Sequence, residues 1–460
     1  MARSRLAGVA LVVALMAAIS CGGSTAAPTT TQRTSARSPS TTPPPARKHR
    51  RAAAWPTYHG NLARTGVDVT SPRLGHLRKA WTTLLDGQVY AEPLAVGGRV
   101  YAATENNTVY ALSAGTGRVI WSRHLGTPVQ SSTLPCGNIA PVTGITGTPA
   151  ISHGTIYAVA FLRGDQHVLF ALRLANGSVR FQRSVDAPGA DPQVHQERSA
   201  LSVSRGRVYV PFGGLFGDCG NYKGRVVSVP TSGNGGIDSF TVGVGREGGI
   251  WASSGAAVDG RGNLFVSTGN GDSTGFDFGD SVLRLSPALK RTGFFRPPNG
   301  GQLNAGDTDL GSVGPTLVAH HRLFAIGKEG VGVLLSTESL GGVGGQLDQK
   351  KVCSGAFGGL AYKAPLVYVP CTDGLVALRV SGGHFAVAWR GGPDGPPIVA
   401  GGAVWSIDTA NGPLEALAAG SGRQLASAGL GSVTHFATPV AGGGRLFVPA
   451  GDSIVAFNGV

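Results

Sequence analysis

Charged residues are scarce in this 460-residue sequence and make up 14% of it. The chain also lacks heptads and long stretches with the 3.6-residue period of an amphipathic helix, which argues against a helical protein. Instead it contains 73 glycines and 28 prolines, with valine, leucine, threonine and tyrosine in short runs. This composition is typical of an all-β protein with many turns, and the length suits one large β ring as well as two or three domains.

The signatures of several enzyme classes are missing as well. No zinc-binding spacing and no nucleophile elbow is present. The segment GVGREG at 243–248 matches G-x-G-x-x-G, but no helical pattern follows it, so it does not predict a dinucleotide site. His320 and His321 have no further histidine or cysteine nearby, and we expect them to face solvent.

Residues 1–21 form a predicted export signal. A basic start precedes an uncharged apolar run from Leu6 to Ser20, which is shorter than the roughly 20 residues of a membrane span. Cys21 follows directly, and AAIS-C-GG resembles a bacterial lipoprotein box, although Ala18 replaces the usual leucine. We expect lipidation of Cys21 and anchoring on the extracytoplasmic side of the cell membrane. The alternative is ordinary signal cleavage and secretion.

Residues 22–53 are rich in serine, threonine and proline and have no apolar periodicity, so they are predicted to be a disordered tether. The chain has a net charge of +14, of which +8 comes from residues before 54 and +6 from the rest. The basic run RKHRR at 47–51 is expected to lie against anionic lipid or cell-wall polymer, or to be a solvated linker. No nucleic-acid partner is predicted.

The segment VYALSAGTGRVIW at 109–121 belongs to a degenerate repeat. Strands with the pattern apolar, aromatic, apolar begin at residues 99, 155, 207, 263, 322, 366, 403 and 445. Their spacing is in the range of a four-stranded propeller blade with variable loops. Four candidate strands can be placed in the first seven repeats, separated by glycine-rich turns.

Residues 54–460 are therefore predicted to form one all-β domain, an eight-bladed β-propeller of four-stranded antiparallel blades. The last repeat ends after three strands, so we expect LRKAWTTLL at 77–85 to supply the fourth and close the ring. Trp121 is predicted to fill the space between neighbouring blades, and Trp81, Phe181 and Trp389 occupy comparable places.

The pattern VYALxAxTGxxxW resembles the pyrroloquinoline-quinone-type (PQQ-like) repeat of β-propellers. This repeat occurs in quinoprotein alcohol dehydrogenases and in non-enzymatic propeller lipoproteins of outer-membrane assembly. The resemblance covers essentially residues 55–460, and WPTYHGNLARTG at 55–66 is similar to the family's lead-in. It implies the fold but not the cofactor, because the repeat residues hold blades together and need not touch a quinone.

Five long insertions are predicted to lie on one face of the ring, which we call the loop face. They are residues 124–145, 186–197, 213–224, 269–280 and 296–311. Long loops on a rigid scaffold often carry binding sites, although they are also tolerated as plain insertions.

The inner strands start at the loop face, so the residues at their starts should surround the mouth of the central channel. Five of these residues are candidates for ligand binding: Thr146, Arg198, Trp251, Asp309 and His435. Together they could hold a planar anionic ligand by ion pairing and stacking, or they could satisfy one another and the strand ends.

Catalysis is not predicted. The quinoprotein resemblance would imply adjacent cysteines beside the quinone, a calcium-binding acid set and an aspartate base, but the sequence has no Cys-Cys pair and no calcium set that can be aligned. Asp272, Asp277 and Asp280 are weak candidates for calcium, and turn formation explains them better. No cofactor is firmly predicted, and PQQ and calcium belong to the alternative.

Four cysteines remain besides Cys21, an even number that suggests disulfides in an exported protein. Cys353 and Cys371 flank the first hairpin of the sixth blade and should lie close together. Cys136 and Cys219 both fall in loops of the loop face, where a disulfide would join two of them. The alternative is free thiols.

The sequence thus predicts an extracytoplasmic, membrane-anchored or secreted propeller that acts as a non-catalytic binding or scaffold protein through its loop face. We expect a monomer with a protein, small-ligand, or cell-wall or other polysaccharide partner. For a polysaccharide, Trp251, Phe276 and Phe278 would supply stacking surfaces. The alternative function is a PQQ-dependent quinoprotein dehydrogenase that oxidises an alcohol or a sugar.

Overall fold

The computed structural model describes residues 54–273, 275–319, 321–410 and 412–459. The predicted signal (1–21), the lipidation site Cys21, the tether (22–53) and His320 lie outside the described residues. Eight antiparallel sheets, the blades, follow one another along the chain. The inner strands of most neighbouring blades contact each other around a common axis. The predicted eight-bladed, all-β propeller is therefore confirmed.

The first four blades each contain four strands in sequence order from the axis outwards. Their bounds are Leu94–Val96, Arg99–Ala103, Thr108–Ser113 and Val119–His124 in blade 1; Ala150–Ser152, Thr155–Leu162, Gln166–Arg173 and Val179–Ser184 in blade 2; Ser202–Ser204, Arg207–Gly214, Arg225–Pro230 and Asp238–Thr241 in blade 3; and Ala257–Val258, Leu264–Ser267, Val282–Leu285 and Arg291–Arg296 in blade 4.

The other four blades repeat this arrangement, except that the outer strand of blade 8 precedes blade 1 in the sequence. Their bounds are Thr316–Val318, Arg322–Ala325, Val331–Ser336 and Asp348–Lys351 in blade 5; Ala361–Lys363, Leu366–Cys371, Gly374–Ser381 and His384–Arg390 in blade 6; Ile398–Ala400, Ala403–Ile407, Pro413–Ala418 and Gln424–Gly429 in blade 7; and Val440–Gly442, Arg445–Ala450, Ser453–Asn458 and Arg78–Leu84 in blade 8.

Short elements decorate the loops between these strands. Among the described residues they are the strands Val129–Gln130, Val142–Thr143, His195–Gln196 and Gly342–Val343, the α-helix Gly300–Ala305, and the 3-10 turns Tyr58–Gly60, Ser131–Thr133 and Leu310–Ser312. No helix in the described part of the chain has the length and apolar character needed to cross a bilayer.

Burial explains why the middle strands are continuously apolar. A blade packs between two neighbours, so both faces of its second strand are covered, and Leu366–Cys371 is buried at every position. The outer strands are mostly exposed and keep one large inward side chain, as in Val119–His124, where Trp121 alone is buried. The cores therefore lie between blades rather than inside them.

The ring closes as predicted. Arg78–Leu84 pairs antiparallel with Ser453–Asn458, with Trp81 opposite Ala456 and Thr83 opposite Ile454. This pairing joins the two ends of the propeller and leaves blade 8 with four strands like the others.

Aromatic residues of the outer strands dock on glycines of the next blade. Trp121 Nε1 donates to Leu174 O at 3.2 Å, and its ring covers Gly177, where a Cβ would lie 2.6 Å from the indole. Trp389 makes the same contact, donating to Ala419 O at 3.0 Å and covering Gly422. Both glycines have positive φ, so the turn geometry and the docking contact each favour glycine.

The segment 55–68 closes the centre of the ring, a role that its sequence does not reveal. Its backbone hydrogen-bonds the inner strands of six blades, at Ala95, Ile151, Val258, Leu317, Tyr362 and Val399. Thr57 Oγ1 donates to Leu201 O beside blade 3, and Tyr58 OH lies 3.4 Å from Thr438 Oγ1 beside blade 8. We call this segment the plug, because it contacts all eight blades.

Arg64 is the centre of the plug. Its guanidinium is fully buried and donates to Ser202 Oγ at 2.7 Å, to Thr57 Oγ1 at 2.8 Å and to three backbone carbonyls. The buried carboxyl of Glu92 accepts from Trp55 Nε1 at 2.9 Å and from the His59 backbone at 2.7 Å. These bonds satisfy polar groups that would otherwise be costly to bury.

Both predicted disulfides are present. Cys353 pairs with Cys371 across the start of blade 6, and Cys136 pairs with Cys219, which joins two loops of the loop face. Disulfides of this kind fit an exported protein.

Candidate functional site

A cavity of about 330 Å³ opens on the loop face, and we call it the axial cavity. It is lined by Asn138, Arg198, Gly214, Leu215, Phe216, Gly217, Asp218, Tyr222, Glu247, Trp251, Asn270, Asp307, Asp309, Lys328, Phe357, His435 and Phe436. Four of the five predicted long loops contribute to this lining, and Arg198 directly follows the fifth. The long loops and the starts of the inner strands therefore converge on one cavity.

The structure brings the five candidate binding residues to this region. Arg198, Trp251, Asp309 and His435 line the axial cavity. Thr146 instead lines a small adjoining cavity of about 10 Å³, together with Arg198, His435 and Tyr58 of the plug. The plug therefore lies behind the axial cavity.

One side of the cavity carries a charged network around Lys328. Its ammonium lies 2.5 Å from Asp309 Oδ2 and 2.8 Å from Asp307 Oδ1. Asp309 Oδ1 also accepts from the Asn270 backbone at 2.7 Å. Burial raises the pKa of Asp309, and the ammonium of Lys328 opposes that shift.

Two more carboxyl groups lie on the same side. Asp218 accepts from Tyr222 OH at 2.6 Å, and Glu247 pairs with Arg246 at 3.0 Å. Burial raises the pKa of Glu247, and the nearby carboxylates of Asp218 and Asp309 raise it further. We call Asp218, Glu247, Asp307 and Asp309 the acidic wall.

Aromatic rings flank these charges. The Lys328 ammonium lies 5.7 Å from the Trp251 ring centroid, and the Trp251 ring is 6.4 Å from that of Phe357. Phe357 in turn stacks at 6.4 Å on Phe436. A planar ligand would find ring faces on this side of the cavity.

Arg198 lies beside Phe436, with its guanidinium carbon 5.8 Å from the ring centroid. It donates to the side-chain oxygens of Asn138 and Gln196, each at 3.2 Å. No carboxylate of the described residues lies within salt-bridge distance of Arg198. The cavity thus contains a guanidinium that can pair with an anionic ligand.

Two buried glutamates lie behind this surface. Glu105 accepts from the Gly144 backbone at 2.6 Å, and its Oε1 has no hydrogen-bond partner in the described structure. Burial raises the pKa of Glu105 to about 7, whereas Arg198 lowers it. Burial also raises the pKa of Glu197. Glu197 therefore favours the protonated form, whereas Glu105 is about half ionised at pH 7 and neutralises Arg198 only in part.

Among the described residues, the three weak calcium candidates are not grouped with their ligand atoms close together. Asp277 accepts from Ser273 Oγ and the Gly279 backbone, Asp280 is buried and accepts from the Leu310 backbone, and Asp272 is exposed. Among the described residues, the one group with metal-ligand proximity is Cys353, Cys371 and Asp373, and its cysteines form a disulfide. Turn formation, the alternative for the three aspartates, agrees with these bonds.

Phe276 and Phe278 do not line the axial cavity. They pack on Phe294 with centroids 5.5 and 5.4 Å away, and Arg291 covers the Phe278 ring at 3.4 Å. Of the stacking surfaces expected for a polysaccharide, Trp251 alone lies in the cavity.

Sequence reasoning missed several lining residues, among them Lys328, Glu247, Tyr222, Phe357 and Phe436. Phe357 and Phe436 precede the inner strands of blades 6 and 8. Arg198 and Trp251 are predicted from their positions at the starts of inner strands, and the same reasoning applies to these two phenylalanines. Lys328 follows the second strand of blade 5 in a short loop, and no length signal marked it.

Comparison with known proteins agrees with the predicted repeat. Residues 78–239 match the family described as outer membrane protein assembly factor BamB. No curated protein is similar enough in sequence to count as a relative.

Solved structures with the same architecture include quinoprotein enzymes and a BamB protein. The quinohemoprotein alcohol dehydrogenase of Pseudomonas putida is 14% identical, with 88% of this chain and 80% of that chain covered at a TM-score of 0.71. The enzyme from Comamonas testosteroni is 17% identical, with the same coverage and a TM-score of 0.69. BamB from Moraxella catarrhalis is 16% identical, with 83% and 100% covered at 0.59. These likenesses confirm the PQQ-like propeller fold.

Proposed function

We propose that this protein is an exported, non-catalytic binding protein that holds a small planar ligand with an anionic group in the axial cavity. The main support for this proposal is Arg198, whose half-buried guanidinium lines a cavity with aromatic walls. Its hydrogen-bond acceptors are the neutral side-chain amides of Asn138 and Gln196. A guanidinium in such a place binds carboxylates with defined geometry. A volume of about 330 Å³ suits a small ligand.

A planar monoanion, 2-naphthoate, tests this proposal by isothermal titration calorimetry. We expect the wild type to bind it and Arg198→Gln to bind about tenfold more weakly or worse. Trp251→Ala should also weaken binding, because it removes a ring face. Arg118→Gln, a change at an exposed turn on the opposite face, is the matched control. Equal binding by Arg198→Gln, or no binding by the wild type, would count against the proposal.

A quinoprotein dehydrogenase is the second candidate, and the environment of Asn270 favours it. Asn270 Oδ1 is buried and lacks a hydrogen-bond partner in the described structure, while its amide donates to Asp307 at 3.0 Å. The residues present fit a quinone with calcium in part. Trp251 would stack on the quinone, and Asn270 and Asp309 would offer oxygen ligands to calcium. The quinone would supply the redox centre that oxidises a substrate.

The two candidates separate with PQQ itself. Titration of the purified protein with PQQ and calcium should give no stoichiometric quinone spectrum and no dye-linked alcohol or sugar oxidation if the protein only binds. A saturable spectrum that Asn270→Ala abolishes, together with dye reduction, would establish the dehydrogenase. Asn263→Ala, outside the cavity, is the matched control.

Export is supported by the two disulfides, and the match to the BamB family supports a protein partner in a complex. Lipidation of Cys21 and the tether remain predictions. Mass spectrometry of the native protein tests them directly, because a diacylated N-terminal cysteine has a characteristic mass and a retained ligand would appear in the same spectrum.

A further inference from the structure

The charges of the axial cavity are unevenly distributed. The acidic wall contributes four carboxyl groups, and two cations, Lys328 and Arg246, pair with it. When the four are ionised, this side of the cavity carries more negative than positive charge. The raised pKa values of Glu247 and Asp309 reflect burial and the same crowding of like charges.

The positive charge of Arg198 is separate from this wall. Arg198 precedes the inner strand of blade 3, and its guanidinium lies beside Phe436 and His435, which precede the inner strand of blade 8. No wall carboxylate lies within salt-bridge distance of this guanidinium. The wall carboxylates lie in a loop of blade 3 and in the connections from blade 3 to blade 4 and from blade 4 to blade 5. The cavity therefore presents a cation and an anionic wall at different places, with aromatic rings between them.

We propose that the ligand of the axial cavity is amphoteric: an aromatic molecule whose basic group faces the acidic wall and whose anionic group faces Arg198. This inference rests on the proposed function, since it concerns the same cavity. A ligand with anionic groups alone would form an ion pair with Arg198, but the carboxylates of the acidic wall would repel it. A ligand with a basic group alone would leave Arg198 without an ion pair. Both cases lose the electrostatic complementarity that gives specificity.

Glu247 is the wall residue best placed to recognise a basic group. It is half-buried, so its interactions are screened less than those of the exposed Asp307 and Asp218. Its pairing with Arg246 leaves it close to three further carboxylates, those of Asp218, Asp272 and Asp309. A ligand ammonium there would reduce like-charge repulsion as well as form an ion pair.

Three indoles that differ in charge test the inference. Tryptophan carries an ammonium and a carboxylate, indole-3-propionate carries the carboxylate alone, and tryptamine carries the ammonium alone. Because the ring is constant, differences in affinity report on the charged groups. By titration calorimetry at pH 7 and low salt, we expect tryptophan to bind about tenfold tighter than either analogue.

Two variants assign the charged groups to the walls. Arg198→Gln should weaken tryptophan and indole-3-propionate but leave tryptamine unchanged. Glu247→Gln should weaken tryptophan and tryptamine but leave indole-3-propionate unchanged. Arg118→Gln and Glu338→Gln, both on the opposite face, are the controls and should change none of the three affinities.

The outcomes separate this inference from the proposed function. If indole-3-propionate binds as tightly as tryptophan and depends on Arg198, the cavity takes a plain anion, and the amphoteric inference is wrong while the proposed function stands. If tryptamine binds as tightly as tryptophan and Arg198→Gln has no effect, both are overturned. If none of the three indoles binds to the wild type, the inference is overturned, and the result with 2-naphthoate decides the proposed function.

Discussion

The buried carboxyl of Glu105, near Arg198, makes ligand binding in the axial cavity depend on pH. Its carboxyl is 2% exposed, and its pKa is raised from 4.5 to about 7. When Glu105 ionises above that pH, its negative charge competes with a ligand anion for Arg198. Binding of an anionic probe should therefore be tighter below pH 7 than above it.

The same residue predicts a pH dependence of stability. The folded state holds the Glu105 proton more tightly than the unfolded state, so its contribution is fully favourable below pH 4.5 and is lost as pH rises towards 7. The loss amounts to roughly 3 kcal/mol by linkage. Glu105→Gln removes this ionisation, so the variant should gain stability relative to the wild type by about that amount between pH 4.5 and pH 8.

Chemical denaturation at a series of pH values measures this effect. Glu338→Gln, at an exposed position, serves as the control and should run parallel to the wild type. A Glu105→Gln curve that also ran parallel to the wild type would show that Glu105 does not titrate in this range.

The outer-strand aromatics and the turn glycines act together at the scale of elements. Gly422 has φ +71° and lies under the Trp389 ring, whereas Gly382 has φ +60° with open space around it. Gly382→Ala should lower the free energy of unfolding by about 1 kcal/mol, because alanine disfavours the left-handed backbone conformation. Gly422→Ala should have the same cost plus about 1–3 kcal/mol, because its Cβ would also clash with the Trp389 ring.

A double-mutant cycle tests that contact. Once Trp389→Ala has removed the ring, Gly422→Ala should cost no more than Gly382→Ala, so the two changes should be coupled by about 1 kcal/mol or more. Additive free energies of unfolding from denaturant titration would contradict the docking interpretation.

The two disulfides differ in the length of chain that they close. Cys136 and Cys219 are 83 residues apart, and Cys353 and Cys371 are 18 apart. On the chain-entropy model, replacing both cysteines of a pair by serine should cost about 4.6 kcal/mol for the first pair and about 3.2 kcal/mol for the second. Loss of the first pair alone should also weaken 2-naphthoate binding, because Gly217 and Asp218 line the cavity. A first-pair variant with wild-type affinity would separate that disulfide from the site.

At the scale of the whole molecule, the plug joins blades that are distant in sequence. Arg64→Gln should lower the free energy of unfolding by about 3–5 kcal/mol, because it leaves several buried hydroxyl and carbonyl acceptors without their charged donor. The exposed Arg73→Gln is the control. Unfolding of both variants in guanidinium chloride measures this difference. If Arg64→Gln lowered the free energy of unfolding by less than about 1 kcal/mol, the plug would not be a main source of the ring's stability.

The sequence predicted the ring better than its centre. The local repeats predict the number of blades and the ring closure at Trp81, and the positions of the cysteines predict both disulfides. The repeats are visible in the sequence because strands that are buried between blades must be apolar. The plug could not be predicted, because Arg64 bonds to residues of blades 3 and 4 that are more than 130 positions away in the sequence. The cavity was found in part, since strand starts locate Arg198 and Trp251, whereas Lys328 depends on how a short loop of blade 5 turns inwards.

We infer that a ligand binds in the axial cavity between Arg198 and the acidic wall. A crystal structure of the protein soaked with 5-bromotryptophan would show this ligand position, because anomalous scattering locates the bromine atom independently of the protein atoms. We predict one strong peak among Trp251, Phe357 and Phe436, with the ligand carboxylate on Arg198. If the anomalous peak lay only on the outer surface, or were absent at a concentration where calorimetry shows saturation, binding in the axial cavity would be ruled out.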